Sequence, residues 1–195
     1  MTTVNGLPAH VLLVHAIVVL LPLSALLLVL TAFWPAARAR LAGANALLSI
    51  IVVALTPVTT GAGEWLERRV PQTALLQTHT DLGDGAVFYA LPIAAMAVVV
   101  WWRQREAAIV AGQAAAHSER TGSGGGVATL SRTALPTRPL LAPTSTTVTR
   151  VVAALAVIVA ALGVYGIYRI GDSGSKAAWT GRFSTTATVG GPGSD

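Results

Sequence analysis

The sequence predicts an all-α integral membrane protein: a four-helix bundle with a disordered cytoplasmic linker between the third and fourth helices. Three observations predict this fold class: four long apolar runs, 11% charged against 53% hydrophobic residues, and a mean hydropathy of +0.66. A soluble domain usually carries about a quarter charged residues. The charges here are too few to cover a surface that faces water on all sides, so we expect the lipid bilayer to cover much of it.

The first apolar run is Val11–Trp34, and only a few polar residues interrupt it. As a helix it reaches about 36 Å, enough to cross a hydrocarbon core of roughly 30 Å. Met1–Pro8 carries no basic residue and the run is longer than the core of a signal peptide, so we expect a permanent helix. The runs 41–61, 85–102 and 151–168 each come close to the minimum spanning length of about 17 residues.

The segment 106–149 differs in composition from the apolar runs. It is rich in Ala and Gln up to about residue 118, which could extend the third helix, and then in Gly, Ser, Thr and Pro. Such a composition buries too little apolar surface to offset the entropy lost on ordering, so we predict a flexible linker. Residues 1–105 then hold three helices, residues 150–183 hold the fourth helix and its outer end, and residues 184–195 form a disordered tail.

Basic residues near the ends of the spans predict the orientation, because cytoplasmic connections carry the excess of Lys and Arg. The two connections predicted to be cytoplasmic contain Arg38, Arg40, Arg103, Arg105, Arg120, Arg132, Arg138 and Arg150, and the opposite side contains Arg68, Arg69, Arg169, Lys176 and Arg182. We therefore predict that both termini lie outside. The preference for Arg over Lys, with many Ala and Gly, is typical of a GC-rich bacterial genome, so we expect the bacterial inner membrane.

Several classes of function are excluded by composition and motifs. Cys is absent, which excludes disulfides, thiolate zinc sites, iron–sulfur ligation and thiol nucleophiles. The net charge of +5 comes from single basic residues at the ends of apolar runs rather than from a basic stripe, so no nucleic acid is expected as a partner. No hydrolase triad, phosphate-binding loop or dinucleotide fingerprint is present, and we expect no enzymatic activity of its own.

The predicted topology gathers polar residues at the outer ends of the helices. His10 and His15 lie at the start of helix one, and His79 precedes helix three. The supporting polar layer at the same level consists of Glu64, Asp84, Arg169 and Asp172. Small residues in this half either make room for a porphyrin or allow close helix packing: Gly61, Ala62, Gly63, Ala160, Ala161, Gly163 and Gly166. Ionisable groups inside a membrane usually face the bundle interior and pair with one another, which makes these residues site candidates.

Spacing favours one pair of histidines over the other. His10 and His15 are about 140° apart around an ideal helix, so they cannot hold one small ion from one face. His15 and His79 lie on different helices and suit the two axial positions of a b-type haem. The alternative for His15 is a structural hydrogen bond to a neighbouring helix. Arg169 and Asp172 are most simply an ion pair one turn apart.

Two motifs carry a family resemblance. The segment Gly6–His15, GLPAHVLLVH, resembles the GLPxHxxxVH start of a bacterial membrane family, the domain of unknown function 2231. Thr60–Leu66, TGAGEWL, is similar to the family's TGxxDWL end of helix two, and His79 matches its histidine ahead of helix three. The resemblance covers Gly6–Trp102 approximately and returns at Ile170–Trp179.

The resemblance implies a four-helix membrane protein of a family without an established activity. Some relatives look fused to Rieske or cytochrome c-type modules, which implies electron transfer with redox partner proteins. By position, His10, His15 and His79 are the implied ligands. One departure concerns Asp172: this chain reads GDSG where family members read GHSG. A ligand at that position is therefore in doubt.

Three functions are consistent with the sequence. The leading hypothesis is a membrane redox protein that holds b-type haem near the outer surface and passes electrons. A second is a non-enzymatic accessory or assembly subunit in which the polar layer only specifies helix packing. A third is a divalent-metal binder or transporter that uses His15, His79, Glu64 and Asp84, a mixed N/O set compatible with zinc or iron.

Overall fold

The computed structural model describes residues 3–122 and 140–184, and within them the chain is almost entirely helical. The elements, in chain order, are β1 Thr3–Val4, β2 Leu7–Pro8, α1 Ala9–Phe33, α2 Pro35–Glu67, α3 Ala74–Asp84, α4 Ala86–Gly122 and α5 Thr146–Trp179. Four helical segments are long and apolar enough to cross a membrane: Ala9–Phe33, Pro35–Glu67, Ala74–Ala116 and Thr146–Trp179. The prediction of an all-α, multi-pass membrane protein is confirmed at this level.

The four long helices α1, α2, α4 and α5 form a bundle in which each has two near neighbours. Helix α1 packs against α2 and α5, α4 packs against the same two helices, and the short α3 lies against α5. The core contains Leu21, Leu28, Val52, Ile93 and Ala156, all nearly inaccessible. Many large apolar side chains are exposed instead on the outside of the bundle. This distribution suits a protein whose outer surface contacts lipid.

Helix α2 turns a polar stripe toward the interior, as the sequence predicts. Asn45, Ser49 and Thr56 are buried, and the two hydroxyls donate to backbone carbonyls four residues earlier at 2.8 and 2.9 Å. With its amide oriented to satisfy both groups, Asn45 donates to the carbonyl of Ser24 and accepts from the amide of Leu28, each at 3.2 Å. An interhelical hydrogen bond inside a membrane fixes how two helices pack, so Asn45 sets the register of α1 against α2.

The connection between α1 and α2 consists of one residue. Trp34 is extended (φ −106°, ψ 109°), as expected for a residue before proline, and Pro35 starts α2. Arg38 then reaches back to the end of α1, where its Nε donates to Thr31 O at 2.7 Å and its Nη2 donates to Ala32 O. These bonds satisfy carbonyls that a helix end leaves without partners.

The structure corrects several predicted boundaries. Helix α2 extends well beyond 41–61, because backbone hydrogen bonds continue through charged positions that end an apolar run. Helix α4 continues to residue 122 and α5 begins at residue 146, so the predicted linker 106–149 is ordered at both ends. The rest of the predicted linker, 123–139, and the predicted tail beyond residue 184 lie outside the described residues.

A short hairpin precedes α1 and was not among the predictions. Asn5 and Gly6 have φ values of 50° and 80°, and they connect β1 to β2 with Thr3 opposite Pro8. Two central residues with positive φ are typical of a type I′ turn, for which Asn-Gly is the preferred sequence. The hairpin ends directly at α1 and fixes where the first turn of that helix, with His10, begins.

Candidate histidine site

His10 links the first turn of α1 to α2. Its Nδ1 lies 3.0 Å from the backbone oxygen of Thr59. A carbonyl oxygen can only accept, so Nδ1 carries the hydrogen and Nε2 of the neutral ring carries a lone pair. The ring packs directly on Gly63, where a Cβ would lie 3.0 Å from both Cε1 and Nδ1. The absence of a side chain at Gly63 therefore allows His10 to approach α2 closely.

His79 makes the equivalent link between α3 and α5. Its Nδ1 lies 3.1 Å from Ser173 Oγ, whose own hydroxyl donates to Ile170 O at 2.8 Å. The serine has one hydrogen, which is directed to that carbonyl, so it accepts from Nδ1–H of His79. A Cβ at Gly174 would lie 2.8 Å from Cε1 of the imidazole. Ser173 therefore orients the ring, and Gly174 gives it room.

The two imidazoles lie next to each other at one end of the bundle, which we call the histidine end. Their ring centroids are 6.5 Å apart and their planes differ by 72°. Among the described residues neither Nε2 has a hydrogen-bond partner, and no fully buried polar side-chain atom lacks one, so both Nε2 atoms are accessible. Two imidazoles in line on one metal at about 2.0–2.1 Å would place their centroids roughly 6 Å apart. The observed separation is close to that value.

The sequence pairs His15 with His79, whereas the structure places His10 beside His79. His15 is exposed, and its Nδ1 hydrogen-bonds to the backbone oxygen of Val11 on its own helix. Only one of two residues 140° apart can face α2 and α3. Helix α3 lies level with the first turn of α1, so the side chain that meets it is that of His10.

The predicted supporting layer does not surround the histidines. Glu64, Asp84 and Arg169 are exposed. Asp172 pairs with Lys176 at 2.7 Å rather than with Arg169, so the predicted Arg169–Asp172 ion pair is wrong. On a helix, Lys176, four residues after Asp172, can reach the Asp172 carboxylate as easily as Arg169, three residues before it.

Within residues 3–122 and 140–184, no group of three or more His, Asp or Glu side chains lies close enough together to hold a metal ion. The mixed set of His15, His79, Glu64 and Asp84 is therefore not assembled. Two small residues on α5 serve close helix packing: a Cβ at Gly163 would lie 2.5 Å from Ile93 Cδ1, and Gly166 packs on the ring of Tyr89.

Sequence reasoning missed the residues that hold the two rings. Thr59 contributes a backbone oxygen, which no side-chain motif reports. Ser173 and Gly174 belong to the GDSG motif and contact His79, whereas the family comparison points to Asp172, the position of the replaced histidine.

No family model, curated protein or solved structure matches the chain. Membership of the domain of unknown function 2231 therefore stays a prediction based on the motifs.

Proposed function

We propose that this multi-pass membrane protein binds a b-type haem between His10 and His79 and takes part in electron transfer. The observation that carries the proposal is the orientation of the two imidazoles. Each comes from a different helix, each donates Nδ1–H to a protein oxygen, and each keeps Nε2 without a hydrogen bond within the described residues. Histidines that ligate metals typically donate their other ring N–H to an oxygen, which fixes the tautomer and the ring orientation.

The donor set favours haem over a single metal ion. A structural zinc site takes four protein ligands and a catalytic site takes three. The histidine end offers two imidazoles, and the described part of the chain adds no third His, Asp or Glu ligand to them. A haem requires only two axial ligands, because the porphyrin occupies the other positions, so two imidazoles are a sufficient set.

The protein's own groups would tune such a centre. A bound haem supplies one-electron redox chemistry. The oxygens of Thr59 and Ser173 accept Nδ1–H and so raise the electron-donating strength of each Nε2, which favours the oxidised iron and lowers its potential. Gly63 and Gly174 set the positions of His10 and His79 by allowing their rings to contact the helix backbones.

The family assignment gains support from where its motifs lie. The GLPxHxxxVH segment provides His10, the TGxxDWL-like segment provides Gly63, and the GDSG motif provides Ser173 and Gly174, all in contact with the imidazole pair or part of it. Segments far apart in sequence therefore meet at one site. We propose that the chain is a member of that family in which His10 and His79 form the ligand pair.

We further propose that the histidine end faces outside in a bacterial inner membrane, with both termini on that side and with redox partner proteins there. Arg38, Arg103 and Arg150 lie at the opposite end, which the positive-inside rule assigns to the cytoplasm. Single-cysteine variants Asn5→Cys and Gly125→Cys, probed in whole cells with a membrane-impermeant reagent, test this. Labelling of position 5 alone is expected, and labelling of position 125 alone would reverse the orientation.

Visible spectroscopy tests the cofactor. The full-length protein, purified in mild detergent from cells supplied with a haem precursor, is expected to show a Soret band and sharp α-bands after reduction with dithionite. His10→Ala and His79→Ala should each lose them. His15→Ala is the matched control, because His15 is exposed and bonded to its own helix, and it should keep the wild-type spectrum. A colourless wild-type protein, or loss of the bands in His15→Ala alone, would contradict the proposal.

A second candidate is a structural role in an accessory or assembly subunit. The hydrogen bonds of His10 and His79 connect α1 to α2 and α3 to α5, which is what a packing role requires. Under this alternative the wild-type protein is colourless, while His10→Ala and His79→Ala lower the Tm. The spectrum of the wild-type protein therefore distinguishes the two candidates.

A further inference from the structure

Two guanidinium groups line one small cavity at the end of the bundle opposite the histidines, which we call the arginine end. Arg38 from the start of α2 and Arg103 from α4 border it together with Gln104 and Thr149. The cavity has a volume of about 30 Å³. Since about 10–15 Å³ is enough for one water molecule, the cavity has room for roughly two water-sized groups, such as two oxygen atoms of an anion.

Arg103 is buried, with 7% of its surface exposed. Its Nη1 donates to Leu141 O, and its Nη2 donates to Thr149 Oγ1 at 2.8 Å. Both acceptors are neutral, and a guanidinium has five N–H donors in all. Glu106, one turn further along α4, acts on Arg103 by charge without touching it, so the buried cation keeps part of its desolvation cost. The site therefore favours an anion in direct contact with the guanidinium.

The described residues supply no carboxylate in direct contact with either guanidinium. Within residues 3–122 and 140–184, no acidic side-chain oxygen lies within 4.0 Å of the guanidinium nitrogens of Arg38 or Arg103. Glu106 lies one turn further along α4, but its carboxylate accepts from the backbone amides of Leu140 and Leu141 at 2.8 and 3.0 Å. Glu106 therefore holds the chain that leads into α5. Its charge acts on Arg103, but its carboxylate makes no ion pair with either guanidinium.

Exposed aromatic residues place this cavity at the depth of lipid headgroups. Trp34, which is 59% exposed, lies at the connection between α1 and α2, and Trp102 beside Arg103 is 46% exposed. Amphipathic aromatic rings concentrate where the hydrocarbon core meets the headgroups. An anion that reaches the cavity from the membrane is therefore a headgroup.

We propose that Arg38 and Arg103 bind the phosphate of an anionic phospholipid. The planar donors of a guanidinium match the geometry of phosphate oxygens, and Gln104 is a further polar residue in the cavity lining. Basic pockets between transmembrane helices on the cytoplasmic side are suited to acidic headgroups. The site uses none of the residues of the histidine end, so the lipid proposal and the haem proposal are tested independently of each other.

Thermal unfolding in detergent, with added lipid, tests the site. Phosphatidylglycerol is expected to raise the Tm of the full-length protein, and phosphatidylcholine at the same concentration to raise it much less. Arg38→Gln and Arg103→Gln should weaken the apparent affinity for phosphatidylglycerol at least about tenfold, because each removes one of the two guanidinium groups that line the cavity. Arg40→Gln is the matched control: it removes the same charge from an exposed position of α2 outside the cavity and should respond as the wild type does.

A cavity-filling variant and a phosphate control test the lipid proposal further. Ala107→Leu keeps both arginines and fills the cavity that Ala107 lines, so it should also abolish the response to phosphatidylglycerol, even if an arginine variant fails to fold. Inorganic phosphate should not reproduce the shift, and an equal shift would overturn the assignment to a lipid. If Arg40→Gln loses the rise in Tm with phosphatidylglycerol as fully as Arg103→Gln does, the proposal is also overturned. Net positive charge would then be sufficient to explain the response.

Discussion

The two ends of the bundle differ in the kind of polar group that the fold leaves available. At the histidine end, Nδ1–H of His10 and of His79 is used, and the lone pairs of two Nε2 atoms remain. At the arginine end, carbonyl oxygens accept from Arg38 and Arg103, and guanidinium N–H groups remain. The first end therefore suits a cation or metal centre and the second an anion. At each end, the hydrogen bonds that the chain itself makes determine which donor or acceptor groups remain for a ligand.

Among changes that leave both histidines in place, the largest expected effect comes from Gly174→Ala. The added Cβ would lie 2.8 Å from Cε1 of His79, so the imidazole must move away from α5. Displacing a ligand whose hydrogen bond orients it should lower haem occupancy by about 10–100-fold. The ratio of Soret to protein absorbance measures the occupancy.

Gly171→Ala is the control for this change, since a Cβ there meets nothing within 4 Å. It should keep full haem occupancy. The lipid response of the arginine end should survive Gly174→Ala, and the haem bands should survive Arg103→Gln. Loss of both properties in either variant would show that the two ends are not separate sites.

A smaller effect is expected from Ser173→Ala. It leaves His79 in place but removes the oxygen that accepts Nδ1–H, so the imidazole becomes a weaker electron donor. The haem midpoint potential should rise while the spectrum keeps its two-histidine form, as followed by a redox titration. Ser173→Thr retains the hydroxyl and should restore the wild-type potential. An unchanged potential in Ser173→Ala would mean that this hydrogen bond does not act on the ligand.

The smallest effect is expected from Asn45→Leu, which lies between the two ends. The substitution removes the hydrogen bonds to Ser24 O and Leu28 N, and interhelical hydrogen bonds in membranes contribute about 0.6–2 kcal/mol to stability. Unfolding in detergent should show a modest loss of stability, with haem and lipid binding both retained at low temperature. If Asn45→Leu loses only haem or only lipid binding, Asn45 contributes to that binding site and not only to the packing of α1 on α2.

The sequence was sufficient to predict the spans but not all of the helices. Four apolar runs identify four candidate membrane-spanning segments, because hydropathy indicates whether a helix is surrounded by lipid or by water. Helix α3 was missed because it is short and mixed in polarity. Its start carries a recognisable signal, Thr73, whose side chain accepts from Leu76 N at 3.1 Å as an N-cap.

The candidate site was predicted in part for a similar reason. Helical spacing shows that His10 and His15 point in different directions, but it does not give the rotation of α1 about its axis. That rotation is set by contacts between elements, among them the amide of Asn45 against α1 and the packing of His10 on Gly63. Hydropathy and spacing contain no information on either contact.

The most direct test of the account is the electron paramagnetic resonance spectrum of the oxidised protein. Ligation by His10 and His79 predicts a low-spin ferric haem signal with two imidazole ligands in the wild type and in His15→Ala. His10→Ala and His79→Ala should convert it to a high-spin signal or lose haem altogether. A low-spin signal that persists in both of those variants, or a wild-type protein without any haem signal, would contradict the account.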